Sequence, residues 1–361
     1  MIPLIKPYVG GEELAKIKEV LDSGHLTEGS FTEEFENKFA KYVNAKYAVA
    51  VTSATTGLEL VLKCVGIKHT EDIIVPDFTY PATADVVYLC GAKCTLVDVD
   101  IKSRNTTYDY IKEAISKNTK VAIPVSEFGN PLDKEIYELK EDIFILEDAA
   151  TAIGSEINGR KVGSFADATV FSFHPRKLLT TGEGGMITTD NEELYEKLKS
   201  YKMFGSKSTG LGRFSFDRIG TNYKMSNVLA AIGLAQLDKI EEMLKDRIKK
   251  AEYYNKLFSE IDGIGIPVIK KNTRHTYQSY TLLLKENGKR DYLISKLLEK
   301  GIQTQIGTYA LHLQKAFIDS RKIGGLLNSE KLYNNLLTIP LYYQMTKEEQ
   351  DIVVKNIEIL I

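Results

Sequence analysis

The sequence predicts an α/β protein: a large domain with a mostly parallel central sheet sandwiched by helices, and a smaller C-terminal α/β domain. Two observations carry this. From residue 47 onward, short apolar runs alternate with amphipathic helical stretches, which is how parallel strands joined by crossover helices read. At 361 residues, with 43% hydrophobic and 27% charged side chains, the chain has a globular composition but is too long for one compact core. The expected division is 1–240 for the large domain, including an N-terminal helical segment, and 241–361 for the small one.

Residues 11–23 place apolar side chains at 14, 17, 20 and 21, an amphipathic helix stopped by Gly24. Thr32 is expected to cap a second helix that turns Phe35, Phe39 and Tyr42 to one face. Strands are expected at 48–51, 73–75, 95–97, 121–124 and 143–146, with helices at 56–64, 80–89, 109–116 and 133–139. Two further strands, 168–173 and 186–189, flank a glycine-rich connection. The stretch 226–258 reads as one long helix whose apolar positions 237, 240, 244, 248 and 251 form a packing stripe. Turn residues at 262–267 end it; a strand-like 277–284, a helix at 290–299 and an apolar run at 337–341 build the small domain.

Composition excludes several classes. A net charge of −2 and a pI near 6.3 give no electrostatic support for nucleic-acid binding. Three cysteines, at 64, 90 and 94, are too few for a disulfide framework and complete no metal set, so they read as buried thiols in a reducing compartment. No apolar run reaches membrane-spanning length and no leader pattern opens the chain, so a cytoplasmic protein without membrane contact is expected.

The expected strands matter because ligands of parallel sheets bind beyond the strands' carboxyl ends. Lys177 lies in such a place, with glycines at 182, 184 and 185 close behind; taken alone it reads as a solvated turn lysine. Asp148 ends the strand before it. A carboxylate there is either a structural ion pair or the partner of a cationic ring nitrogen. Residues 51–57 are small and hydroxylated at the start of a helix, which suits either simple capping by Ser53 or Thr55 or the binding of a phosphate by orphan amides. Tyr80 follows the next strand as either a core tyrosine or a ring stacked on a planar cofactor.

Together these stretches resemble one family. Ser172-Phe-His-Pro-Arg-Lys177-Leu-Leu-Thr-Thr-Gly-Glu-Gly-Gly185 is similar to the lysine motif of the DegT-type nucleotide-sugar aminotransferases, which are fold-type I pyridoxal-phosphate enzymes. The resemblance extends through Pro76-Asp-Phe-Thr-Tyr-Pro-Ala-Thr83, Glu147-Asp-Ala-Ala150, Gly220-Thr-Asn-Tyr-Lys-Met225 and Leu311-His-Leu-Gln314. It implies pyridoxal 5'-phosphate held covalently by Lys177, with Asp148 on the ring nitrogen and Tyr80 over the ring. Thr55, Thr56 and Ser172 would hold the phosphate, and Asn222 would reach it from the neighbouring subunit of a homodimer with shared active sites. Thr151 would bond the ring hydroxyl, and His174, Tyr309 and His312 would contact substrate. The implied reaction is ping-pong: an amino acid, most often glutamate, gives its amino group to a nucleotide-diphosphate-linked keto sugar, as in amino-sugar and polysaccharide biosynthesis, with Lys177 moving the α-proton.

The chain departs from the family pattern at three points. Thr151 stands where Gln or His is usual, Ala54 where the phosphate loop has glycine, and Lys224 where an Asn-Tyr-Arg motif has arginine. Three rival readings are weaker. A sugar dehydratase of the same fold replaces the lysine with histidine, which this chain does not. A non-catalytic, cofactor-binding regulatory homologue does not account for the retention of Asp148, Lys177, Ser172 and Asn222. A dinucleotide-dependent oxidoreductase requires a Gly-x-Gly-x-x-Gly that does not follow the first strand.

Overall fold

The computed structural model describes residues 1–361, apart from the side chain of Ser208. Helices α1 (Gly11–Ser23) and α2 (Ser30–Val43) precede the sheet, and Gly24 ends α1 in the left-handed conformation that only glycine adopts freely. Strands β1 (Tyr47–Val51), β2 (Asp72–Pro76), β3 (Lys93–Val97), β4 (Thr119–Ala122), β5 (Phe144–Asp148), β6 (Ala168–Ser172) and β7 (Gly185–Thr189) form the main sheet. Their order is β1-β7-β6-β5-β4-β2-β3, and the short segment Arg321–Lys322 extends the β3 edge. Every neighbouring pair from β6 to this edge is parallel; β7 alone runs against its neighbours, β1 and β6.

Helices cover both faces, as a parallel sheet requires. On one face α3 (Ala54–Val65), α4 (Ala82–Leu89) and α6 (Glu192–Lys202) bury Leu58, Val86, Leu194 and Leu198 against Val75, Val121 and Ile187. On the other, α2 and α7 (Asn227–Asp238) pack Phe35, Phe39 and Leu234 against Phe171 and Phe173, and α5 (Tyr108–Ala114) packs Ile111 with Val97 and Ala122. Beyond α6 a two-stranded hairpin, β8 (Ser206–Gly210) and β9 (Arg213–Phe216), projects from the body. The C-terminal sheet, ordered β10 (Ile264–Gly265), β11 (Tyr280–Leu284), β13 (Leu336–Ile339) and β12 (Gln305–Ile306), shares a core with α8 (Ile240–Phe258), α9 (Lys289–Glu299) and α11 (Lys347–Leu360), while α10 (Leu327–Asn335) packs Leu332 with Phe78 and Leu336. Chain order does not divide the cores cleanly. Ile2 bridges to Ile302 and packs in the C-terminal core, while Arg321–Lys322 returns to the main sheet. No helix among the described residues is long and apolar enough to cross a membrane.

The fold corrects three expectations. The stretch 226–258 is two helices, broken at Lys239 (φ −108°, ψ 6°). The apolar stripe continues across a one-residue break, so its period conceals the bend; the Lys239 ammonium is drawn to Glu12 and Glu13 of α1 at 2.8 and 2.6 Å. Thr32 is not the cap of α2, which starts two residues earlier at Ser30. Its amide and hydroxyl both bond Oδ1 of Asn227, so a residue of α7 satisfies this helix start from across the fold. The helix expected at 133–139 is a 3₁₀ stretch, Lys134–Glu141.

Candidate active site

Strand register gathers the chemistry. Gly185 of β7 lies opposite both Val51, the last residue of β1, and Ser172, the last of β6; one strand further on, Asp148 ends β5. These carboxyl ends open into a cavity of about 590 Å³ between the main sheet and the C-terminal sheet. The cavity wall includes Asp148, Lys177, Ser172, Thr55 and Tyr80 from the large domain's loops, with Thr151, His174 and Tyr309 alongside.

Asp148 is 6% exposed. Its Oδ1 accepts the Ala150 amide at 3.0 Å and its Oδ2 the Thr83 hydroxyl at 2.8 Å. Burial pushes its carboxyl above the ordinary range, while those two donors and the Lys177 ammonium favour the charged form. Burial likewise pushes the Lys177 amine down, opposed by the charges of Asp148 and Glu127 and aided by Arg176. A lowered lysine is one that can be neutral and nucleophilic.

The loop carrying Lys177 closes on itself. Phe173 bonds Gly184 through its amide and accepts the Thr181 amide and Thr180 hydroxyl through its carbonyl, at 2.9–3.0 Å. His174 belongs to this scaffold: its carbonyl accepts the Lys177 amide and its Nδ1 accepts the Arg176 amide. Gln278, just before β11, clamps the lysine's flanks, accepting from the Leu178 amide at 2.9 Å and donating to the Arg176 carbonyl at 2.7 Å. Arg247 of α8 in turn holds the carbonyls of Tyr277, Gln278 and Leu341.

At the start of α3, Ser53 and Thr56 cap each other: the Thr56 amide donates to Ser53 Oγ at 3.1 Å, and the Ser53 amide to Thr56 Oγ1 at 3.0 Å. Thr56 is therefore consumed by the cap and does not line the cavity. The amides of Ala54 and Thr55 make no hydrogen bond among the described residues. A Cβ on Gly185 would sit 2.7 Å from the backbone of Ser53 and Ala54, so glycine there lets β7 lie directly against this helix start. Two open amides at the positive end of a helix suit an anion. A buried carboxylate beside a lysine suits a cationic heterocycle. The residues present thus fit a phosphorylated pyridine cofactor.

Besides Thr56, two expected residues lie off the cavity wall. His312 is tied to the fully buried Asp77, whose carboxylate accepts both its amide and its Nδ1 at 2.7 Å. Asn222 Oδ1 accepts the Lys224 ammonium at 2.6 Å. Thr151 lines the cavity, but its hydroxyl donates to the Ser126 carbonyl at 2.7 Å and is not free to donate elsewhere. The sequence reading missed Thr83, Gln278, Arg247 and Glu127. Glu127 had a signal, since it follows the strand at 121–124 just as Asp148 and Lys177 follow theirs; Arg247 had none, being hidden beside the packing stripe of its helix.

The model of the DegT/DnrJ/EryC1/StrS aminotransferase family matches residues 7–358. GDP-perosamine synthase of Escherichia coli O157:H7 is 34% identical over 315 residues, covering 86% of this chain and 85% of that protein. Spore coat polysaccharide biosynthesis protein SpsC of Bacillus subtilis strain 168 is 33% identical, covering 99% of this chain and 96% of that one. Among solved structures, aminotransferase TlmJ of Streptoalloteichus hindustanus superposes with a TM-score of 0.94 at 27% identity, over 100% of this chain and 98% of its own. The pyridoxal-phosphate form of the sugar aminotransferase Spr1654 of Streptococcus pneumoniae, described as putative, also gives 0.94 at 27%, over 99% and 98%. Fold and site define a fold-type I aminotransferase. The chain belongs to the DegT/DnrJ/EryC1/StrS aminotransferase family.

Proposed function

We propose that the chain moves an amino group from an amino acid, glutamate, to a nucleotide-diphosphate-linked keto sugar, with pyridoxal 5'-phosphate as cofactor. One observation carries this reading: Lys177 and Asp148 are enclosed in one cavity beside the open amides of α3. Lys177 would hold the cofactor covalently, Asp148 its ring nitrogen, and Tyr80 one face of its ring. Its phosphate would sit on the amides of Ala54 and Thr55 and the Ser172 hydroxyl. When bound, the cofactor supplies an electron sink for the carbanion left by removal of an α-proton.

The chain's own residues do the rest. Lys177, whose flanks Gln278 clamps and whose amine burial pushes towards the neutral form, would take the α-proton and hand it back. Thr83 and the Ala150 amide favour the ionised form of Asp148 and hold its carboxylate at the cavity wall. Tyr80, 65% exposed at the mouth with Tyr309 6.3 Å away, would cover the bound ring and exclude water. The work is shared between two copies. Around the projecting hairpin Phe204, Leu211, Phe214, Phe216 and Ile219 are all exposed, an apolar surface suited to a second copy of the chain, from which Asn222 would reach the phosphate.

Borohydride treatment of the loaded enzyme should remove its visible absorbance and leave the cofactor on the peptide containing Lys177. Lys177→Arg should keep the fold and abolish transamination; full activity in that variant would sink the assignment. Glutamate supplied with a panel of nucleotide-linked 3-keto and 4-keto sugars, followed by mass analysis, identifies the acceptor.

A further inference from the structure

We propose that Glu127 is a positioning residue of this cavity that governs the proton on Lys177: it takes up, as a neutral carboxyl group, the proton that Lys177 releases in becoming a neutral amine. The inference rests on Lys177 being the reactive amine. The exchange breaks one N–H bond and forms one O–H bond, moves no electrons between redox states, and leaves the cavity's net charge unchanged.

The geometry of the segment supports it. Glu127 follows β4 and enters the same cavity wall as Lys177 and Asp148, at 6% exposure. It is held there from several directions. Its amide donates to Asn105 Oδ1 at 3.0 Å, and Nδ2 of Asn105 donates to the carbonyls of Asn130 and Pro131 at 3.0 and 3.2 Å. The preceding carbonyl, of Ser126, accepts the Thr151 hydroxyl. The next residue, Phe128, is forced into the left-handed region at φ 56°, a conformation that persists only where the surroundings over-determine it.

Two carboxyl groups then act on one amine across the cavity, and their surroundings separate their roles. Asp148 accepts the Ala150 amide and the Thr83 hydroxyl at 3.0 and 2.8 Å, whereas Glu127 has the Thr79 hydroxyl and the amide of its neighbour Phe128. Burial raises both carboxyl groups, Glu127 to about 8, and the proton is assigned to Glu127. The other charged groups on the wall are already engaged or lie at its edge. Arg247 is committed to three carbonyls, Arg176 reaches Gln305, and His174 and Glu183 belong to the lysine loop.

The test reads Lys177 in the cofactor-free full-length chain, as the rate of acetylation by acetic anhydride against pH, measured by peptide mass analysis. In the wild type, reactivity should rise over a broad interval, because two coupled groups titrate together. In Glu127→Gln it should rise in one narrower step at lower pH, making Lys177 several-fold more reactive at the wild-type midpoint. Glu127→Asp should restore the broad profile. Thr79→Val removes the hydroxyl donor of Glu127 without touching Lys177 and should shift the profile the same way by less, which keeps the test decisive if the glutamine variant does not fold. Profiles for Glu127→Gln and Thr79→Val that superimpose on the wild type would overturn the inference. Borohydride trapping on a residue other than Lys177 would instead overturn the functional reading beneath it.

Discussion

Buried ionisable side chains give this chain opposing responses to pH. Glu147 is fully buried, accepting the hydroxyls of Ser126 and Tyr137 at 2.6 and 3.0 Å, and burial pushes it from 4.5 up to about 7. Glu127 behaves alike, reaching about 8. A carboxyl group raised on folding contributes stability that is complete below its unfolded value and is lost as pH climbs through its folded value. His275, stacked on Tyr277 at 4.2 Å, is pushed down from 6.5 to about 3, so its contribution is complete above 6.5 and lost as pH falls towards 3. The melting temperature of the cofactor-free chain should therefore decline from about pH 5 towards pH 8. Glu147→Gln should make that decline shallower; thermal scans in which variant and wild type decline alike would show that Glu147 does not titrate in this range.

The contact between β7 and the start of α3 is where packing and site chemistry meet. Gly185 admits the α3 backbone at a distance no side chain allows, and the same helix start carries the open amides of Ala54 and Thr55. Gly185→Ala should move one element off the other. The expected cost is about 1–3 kcal/mol by overpacking, with a larger proportional loss in pyridoxal-phosphate affinity, because the displaced amides are those assigned to the phosphate. Equilibrium unfolding and cofactor titration measure the two effects; unchanged affinity with reduced stability would remove the phosphate assignment from this helix. Much of this arrangement was legible beforehand. The strands that end in Asp148 and Ser172 announced themselves by apolar runs, and the glycines by their cluster. The capping exchange between Ser53 and Thr56, which leaves Thr55 open and closes Thr56, was not legible, because serine and threonine side chains can both cap.

The chain as a whole presents an imbalance that a single copy does not resolve. The hairpin of β8 and β9 stands away from the three principal cores with Leu211 98% and Ile219 91% exposed, a cost a solitary soluble chain has no reason to carry. Sedimentation of the wild-type chain should show a dimer, and the double substitution Leu211→Ser, Ile219→Ser should shift it towards monomer with little change in circular dichroism. A dimer that survives the double substitution would place the interface elsewhere. The buried ion cluster near the hairpin's base provides a contrast: Lys202 is 1% exposed and meets both Glu28 and Glu36 at 2.9 Å, and it needs no second copy to be satisfied.

What the sequence by itself determined is what local pattern and local chemistry encode. The alternation of strands and helices follows from hydrophobic period, and Lys177 and Asp148 stand out because reactive groups at strand ends interrupt apolar runs. The tertiary structure alone decided which groups share a space. Asp148 receives its hydroxyl from Thr83, 65 residues away; Lys177 is clamped by Gln278, 101 residues on; and Glu127 lines the same cavity from the segment after a third strand. His312, which the resemblance implies as a substrate contact, is bound to Asp77, 235 residues before it. Hydrophobic period records which face of an element is buried, but not which distant polar group it meets there, and it is those meetings that set the protonation of the site.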